Sequence, residues 1–123
     1  MYPADLKYTK DHEWISLSGS RGRVGITEYA QKQLGDVVFV ELPEVGKAFH
    51  QGESFGSIES VKAVSELFAP VSGTVVEVNG NLSAKPEAVN QDPHATWMIV
   101  IELTNPGETA GLLDHTQYGE LVK

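Results

Sequence analysis

The sequence contains no cysteine, which removes disulfides, thiolate metal sites and cysteine nucleophiles from consideration and suits a reducing compartment. No apolar run is long enough to cross a bilayer, and the N-terminus lacks the apolar stretch of a signal peptide, so the reading is a soluble protein that is not exported. Basic residues are scarce. Nine Lys and Arg stand against seventeen Asp and Glu, a net charge of −8. That balance disfavours nucleic acid and anionic membrane and favours basic or electropositive protein partners. The four histidines, His12, His50, His94 and His115, show no helical metal-binding spacing, and no metal site is expected. No serine sits in a nucleophile elbow, and the glycines from Gly19 to Gly25 lack the spacing of a phosphate-cradling loop.

The 123 residues suit one domain, 1–123, which at this size buries roughly two-thirds of its unfolded-chain surface. Residues 1–10 read as a polar extended arm. From Asp11 to Leu17 apolar and polar residues alternate as in a half-buried strand. Ser18-Gly19-Ser20 is its turn, and Arg21 to Ile26 return as a second strand. Thr27 can cap a short helix whose Tyr29, Ala30 and Leu34 share a face, with Gly35 as its left-handed stop. A strand over Val37–Leu42 ends at Pro43. Residues 79–96 read mostly as loop, with Pro86 and Pro93 limiting any helix. Trp97–Leu103 is a strongly apolar strand. Asp114 and Gln117 form a capping box for a last helix reaching about Val122.

The chain is organised around Lys62. Two β-like runs, Phe55–Ser60 and Val64–Phe68, flank Val61-Lys62-Ala63, which holds no glycine, proline or asparagine to announce a tight turn. Further out, Gly35–Val40 and Gly73–Val78 share the pattern G-x-V-V-x-V. This repeat suggests two similar β units with Lys62 at the junction between them. Without the repeat and the flanking pattern, Lys62 reads by default as an ordinary solvated lysine on a strand end. Glu13, Glu53, Glu59 and Glu66 read either as acid/base candidates or as a solvated acidic face.

Several segments together resemble the H proteins of the glycine cleavage system, the lipoyl carriers of that complex. They run in order along nearly the whole chain: Tyr8–Trp14, Val24–Ala30, Leu34–Pro43, Glu59–Ala63, Ala69–Gly73, Val89–Pro93 and Trp97-Met98. Three positions depart from the family pattern: the short His94-Ala95-Thr96 segment, Val64, and Asp11 before the histidine. The resemblance implies a mostly β fold, a barrel-sandwich hybrid of two small antiparallel sheets. To these it adds an N-terminal hairpin and short helices, including one at the C-terminus. The core would span about 21–104 and the helical tail about 112–122.

It further implies that lipoate is joined to Lys62 as an amide, so that the sulfur chemistry comes from the cofactor. The chain would then be a non-catalytic carrier and shared substrate. The oxidised arm would receive the aminomethyl group of glycine from the decarboxylase (P protein). The aminomethyltransferase (T protein) would take the one-carbon unit, and dihydrolipoamide dehydrogenase (L protein) would reoxidise the arm. Lipoyl-attachment enzymes are implied as further partners, with Glu59 and Gly73 as the candidates for their recognition. Glu13, Glu66 and Asp11 are the candidates for docking the loaded arm. A monomer in the bacterial cytoplasm is expected, or a mitochondrial one in a processed form. Open alternatives are a lipoyl carrier or relay for 2-oxo-acid dehydrogenase systems and an unmodified β-rich interaction module. A biotin carrier would place methionine on both sides of the lysine, where Val61 and Ala63 stand.

Overall fold

A computed structural model describes residues 2–123. In chain order it has β1 (Lys7–Tyr8), β2 (Glu13–Ser18), β3 (Arg21–Ile26), α1 (Glu28–Leu34), β4 (Val37–Glu41), β5 (Ala48–Phe49), β6 (Ser54–Ser60), β7 (Val64–Phe68) and β8 (Gly73–Val78). There follow two one-turn helices, α2 (Asn81–Ala84) and α3 (Ala88–Gln91), then β9 (Ile99–Leu103), a 3-10 turn over Pro106–Gly111, and α4 (His115–Leu121). The strands form two antiparallel sheets. One has six strands in the order β1-β2-β3-β9-β8-β5, the other three in the order β4-β6-β7. The mostly β, two-sheet architecture expected from the sequence is the one observed.

The larger sheet starts from the N-terminal hairpin, where Ser18 pairs with Arg21 across a turn whose Gly19 takes φ 63°. Alternation then sends one face of each strand inward. Ile15, Val24, Val75, Ile99 and Ile101 from the larger sheet meet Val37, Val40, Ile58 and Leu67 from the smaller one in a common buried cluster. Each fully buried side chain of this kind contributes about 1.5–3 kcal/mol. Thr27 caps α1 as its sequence suggests, its hydroxyl accepting from the Ala30 N–H, and Gly35 ends the helix at φ 79°.

A second cluster joins the two ends of the chain. Leu6, Tyr8, Trp14 and Tyr118 are buried together, with the Tyr8 and Tyr118 rings stacked at 4.8 Å. The expected capping box is present, Asp114 accepting from the Gln117 N–H and the Gln117 side chain accepting from the Asp114 N–H. It starts α4 so that Tyr118 turns inward. There the Tyr118 hydroxyl lies 2.8 Å from His12 Nδ1 and 2.7 Å from Thr27 Oγ1.

Four expectations need correction. The polar extended arm ends in a regular element: β1 pairs with β2, and Tyr8 is fully buried and also bridges to Leu113. Met1 lies outside the described residues. The G-x-V-V-x-V copies do not flank a junction at Lys62, because β4 lies in the smaller sheet and β8 in the larger. Between the two copies the chain passes from sheet to sheet at residues 42–47, 50–53 and 69–72, and Lys62 is instead the tip of the β6–β7 hairpin within the smaller sheet. Residues 79–96 hold two helical turns, one on each side of Pro86, since a proline ends one helix without forbidding the next. The last apolar strand starts at Ile99, with Trp97 and Met98 leading into it.

Gly73 opens β8, opposite Phe49 and Leu103. A Cβ there would press on the Glu102 carbonyl oxygen and come 2.9 Å from Ile101 Cγ1. Gly73→Ala is therefore expected to destabilise the protein by about 1–3 kcal/mol through overpacking against backbone that cannot yield. Urea unfolding measures this, and a midpoint equal to wild type contradicts it.

Candidate functional site

Lys62 is solvent-exposed at the tip of β6–β7. Among the described residues no carboxylate lies within ion-pair distance of its ammonium; the ion pairs present are Arg21–Glu102 and Glu120–Lys123. The tip turns without the usual turn residues because Ser60, itself buried, substitutes its side chain for backbone. Its Oγ accepts from the Ala63 N–H at 3.1 Å and the Lys62 N–H at 3.3 Å, while its own N–H donates to the Ala63 carbonyl at 2.8 Å. The Val61 N–H donates to the Asp36 carbonyl at 3.0 Å, tying the tip to the corner that follows α1. That corner is itself held by Asn90 through Gly35 and Val37. Sequence reading passed over both Ser60 and Asn90. A serine directly before the three tip residues was the available signal for the first.

The outer face of the smaller sheet carries Phe39, Glu59 and Val64 in one cross-strand row, with Glu41, Ser57 and Glu66 in the next. Phe39 is 53 % exposed and Val61 and Val64 are 70 % exposed, so the lysine stands among uncovered apolar side chains. Glu59 lies exposed near the end of β6, opposite Val64 where the strand enters the tip. Gly73 is in the other sheet and buried, with its own packing reason for lacking a side chain.

Glu13 and Asp11 come together in a groove of about 330 Å³ that also includes Thr9, Phe68, Leu112 and Leu113. Glu13 is 2 % exposed. The Thr9 hydroxyl donates to its Oε1 at 2.6 Å and the Phe68 N–H to its Oε2 at 3.3 Å. Burial pushes its carboxyl up to about 8, hydrogen bonds from Thr9 and Phe68 pull the other way, and the Asp11 charge adds to the rise. Between the two acids His12 adopts a left-handed φ of 73°. Its carbonyl accepts from the Thr27 N–H. For a non-glycine residue that conformation is uncommon and needs such support. Glu66 does not line the groove. It is exposed on the outer face of β7, between Val64 near the tip and Phe68 at the groove.

A family model for the glycine cleavage H-protein matches residues 6–123. The chain belongs to the glycine cleavage H-protein family. Among curated proteins it is 61 % identical, over 95 % of its length and 90 % of the relative's, to the glycine cleavage system H protein of Koribacter versatilis. It is 57 % identical to that of Symbiobacterium thermophilum, covering 98 % of this chain and 95 % of the other. A crystal structure of a glycine cleavage system H protein from Mycobacterium marinum superimposes with a TM-score of 0.89 at 44 % identity, over 97 % of both chains. The two-sheet scaffold described above is thus the scaffold of an H-protein.

Burial of Glu13 has a measurable consequence. Its ordinary value of 4.5 is raised to about 8 in the fold, so between those pH values the folded protein holds a proton that the unfolded chain has lost. The stability tied to neutral Glu13 is full below the lower value and is lost as pH rises through the upper one. Urea unfolding at about pH 5 and about pH 9 should show this decline in wild type and a flatter profile in Glu13→Gln. Parallel profiles contradict the assignment.

Proposed function

We propose that this protein carries a lipoyl group on Lys62 and serves as the aminomethyl carrier of a glycine cleavage system. In this role it is the shared substrate of glycine decarboxylase, the aminomethyltransferase and dihydrolipoamide dehydrogenase. Family membership supports the carrier role. The single observation that favours Lys62 is its display: an exposed lysine with no carboxylate partner among the described residues, on a tip whose backbone is tied down by Ser60 and Asp36. Acylation there would strip no ion pair and would leave the scaffold unstrained.

The residues present fit a lipoyl group. Lys62 supplies the amide nitrogen, and Phe39, Val61 and Val64 give an apolar surround for a hydrocarbon chain. When bound, the group supplies a dithiolane that opens to take the aminomethyl fragment and is later reoxidised from the dithiol. This chain's own residues do the rest. The outer face of β7 leads from the tip past Val64 and Glu66 toward Phe68 and the groove. There Glu13, with Asp11 at the rim, meets an incoming ammonium in a partly water-excluded setting, where a charge-assisted hydrogen bond contributes about 1.5–3 kcal/mol. Neutral Glu13 must release its proton to do so, and docking therefore tightens as pH rises through about 8.

Glu59, where the strand enters the tip, offers a charge by which an attachment enzyme distinguishes Lys62 from Lys47 and Lys85. Gly73 was the other expected recognition residue, and its substitution would first be felt as packing strain. The known relatives quoted are bacterial, and no helix among the described residues is long and apolar enough to cross a membrane. A bacterial cytoplasmic carrier is the matching reading.

Lys62→Arg keeps the charge but cannot form the amide, so the variant should fold normally, gain no lipoate and support no transfer from glycine. Peptide mass mapping checks the site, and lipoate found on Lys47 or Lys85 instead ends the assignment. For the groove, ammonia release from loaded protein freed of decarboxylase, followed above about pH 8 where Glu13 is ionised, should be about tenfold faster in Glu13→Gln. A smaller rise is expected in Glu66→Gln. Release rates equal to wild type in both variants remove these carboxylates from the docking role.

A further inference from the structure

The segment Val89–Pro93 matches the family pattern, yet nothing in the carrier role described above uses it. Its Asn90 forms a three-way fork. Oδ1 accepts from the Val37 N–H at 2.8 Å, and Nδ2 donates to the Gly35 carbonyl and to Gln31 Oε1, both at 2.9 Å. The two backbone groups it holds flank Asp36, whose carbonyl receives the Val61 N–H of the lysine tip. Gly35 in turn lies beneath the lysine stem: a Cβ there would sit 3.4 Å from Lys62 Cε.

The corner after α1 thus has two sides. One is fastened to α3 by a neutral amide, and the other supports the tip. Only an amide side chain offers an acceptor and two donors in one plane. Aspartate at the same place would still accept from Val37 but would face the Gly35 and Gln31 oxygens with an acceptor of its own.

We propose that Asn90 is a positioning residue for Lys62: by clamping the Gly35–Val37 corner it fixes the shelf from which the hairpin tip presents the lysine to the attachment enzyme. The proposal rests on Lys62 being the lipoyl acceptor, although its first consequence is visible in the unmodified protein. Without the clamp the Asp36 carbonyl loses its fixed place, the Val61 hydrogen bond weakens, and the lysine must be ordered at the expense of the attachment step.

The experiment compares unmodified wild type, Asn90→Asp and Asn90→Ser by residue-resolved amide exchange, with purified lipoyl ligase kinetics on the same samples. Gln31→Ala serves as control, since it removes one arm of the fork and leaves the corner's backbone bonds intact. In both Asn90 variants the Val61 and Ala63 amides should exchange about tenfold faster while those of Ile99 and Ile101 stay as in wild type. Attachment kcat/KM should fall about tenfold in parallel. Gln31→Ala should match wild type in both measurements.

Unchanged exchange at Val61 overturns the proposal, as does faster exchange spread evenly over β9, which marks a merely structural asparagine. It is equally overturned if Gln31→Ala reproduces the Asn90 effect, or if attachment is untouched despite a loosened tip. Should wild type itself take up no lipoate at Lys62, the acceptor reading fails, while the exchange data still decide whether Asn90 holds the tip.

Discussion

An exposed lysine can serve as a fixed point of attachment only if the backbone beneath it is satisfied without help from solvent, and here that constraint is met by Ser60. Its buried hydroxyl takes the place of a turn residue. The tip therefore needs no glycine, whose flexibility would cost order where presentation matters. The Val61 to Asp36 bond extends the same restraint into the smaller sheet. The inner face of that sheet packs on the larger one through Val40, Ile58 and Leu67. The side chain at Lys62 is thus exposed, and the backbone beneath it is hydrogen-bonded.

The groove is built by the opposite strategy. A carboxyl is held away from water at Glu13, at a cost in its charged form, by elements from distant parts of the chain: Thr9 before β2, Phe68 at the end of β7, and Leu112 and Leu113 before α4. The aromatic cluster of Tyr8, Trp14 and Tyr118 joins these ends. The C-terminal helix thereby bears on the groove indirectly, since the Tyr118 hydroxyl lies within hydrogen-bond distance of the ring of His12, the left-handed residue between Asp11 and Glu13. A buried carboxyl that accepts hydrogen bonds from Thr9 and Phe68 would regain, by pairing with a cation, part of what burial costs its charged form.

Much of this was legible in the sequence wherever local chemistry and periodicity agreed. The β2–β3 hairpin has both alternation and a Ser-Gly-Ser turn; α1 has Thr27 and Gly35 at its ends; α4 announces itself through Asp114 and Gln117. The two-residue strands β1 and β5 were not legible, because two residues carry no period and their pairing is decided by the sheet they join. The repeat around Lys62 misled for a related reason. Two valine-rich strands look alike in sequence whichever sheet accepts them. Glu13 and Glu66 were likewise indistinguishable as letters, and their difference in burial comes from Thr9, Phe68 and the tail. Asn90 went unread because its fork joins residues separated by half the chain.

The account turns on Lys62 as the point where glycine's carbon is received. The direct measurement incubates lipoylated protein with glycine decarboxylase and glycine labelled at its methylene carbon, followed by peptide mass mapping. Label and the mass of one aminomethyl unit should appear on the lipoylated peptide containing Lys62, and should be absent when glycine or decarboxylase is omitted. A lipoylated protein that gains no label there, or gains it on another lysine, contradicts the account.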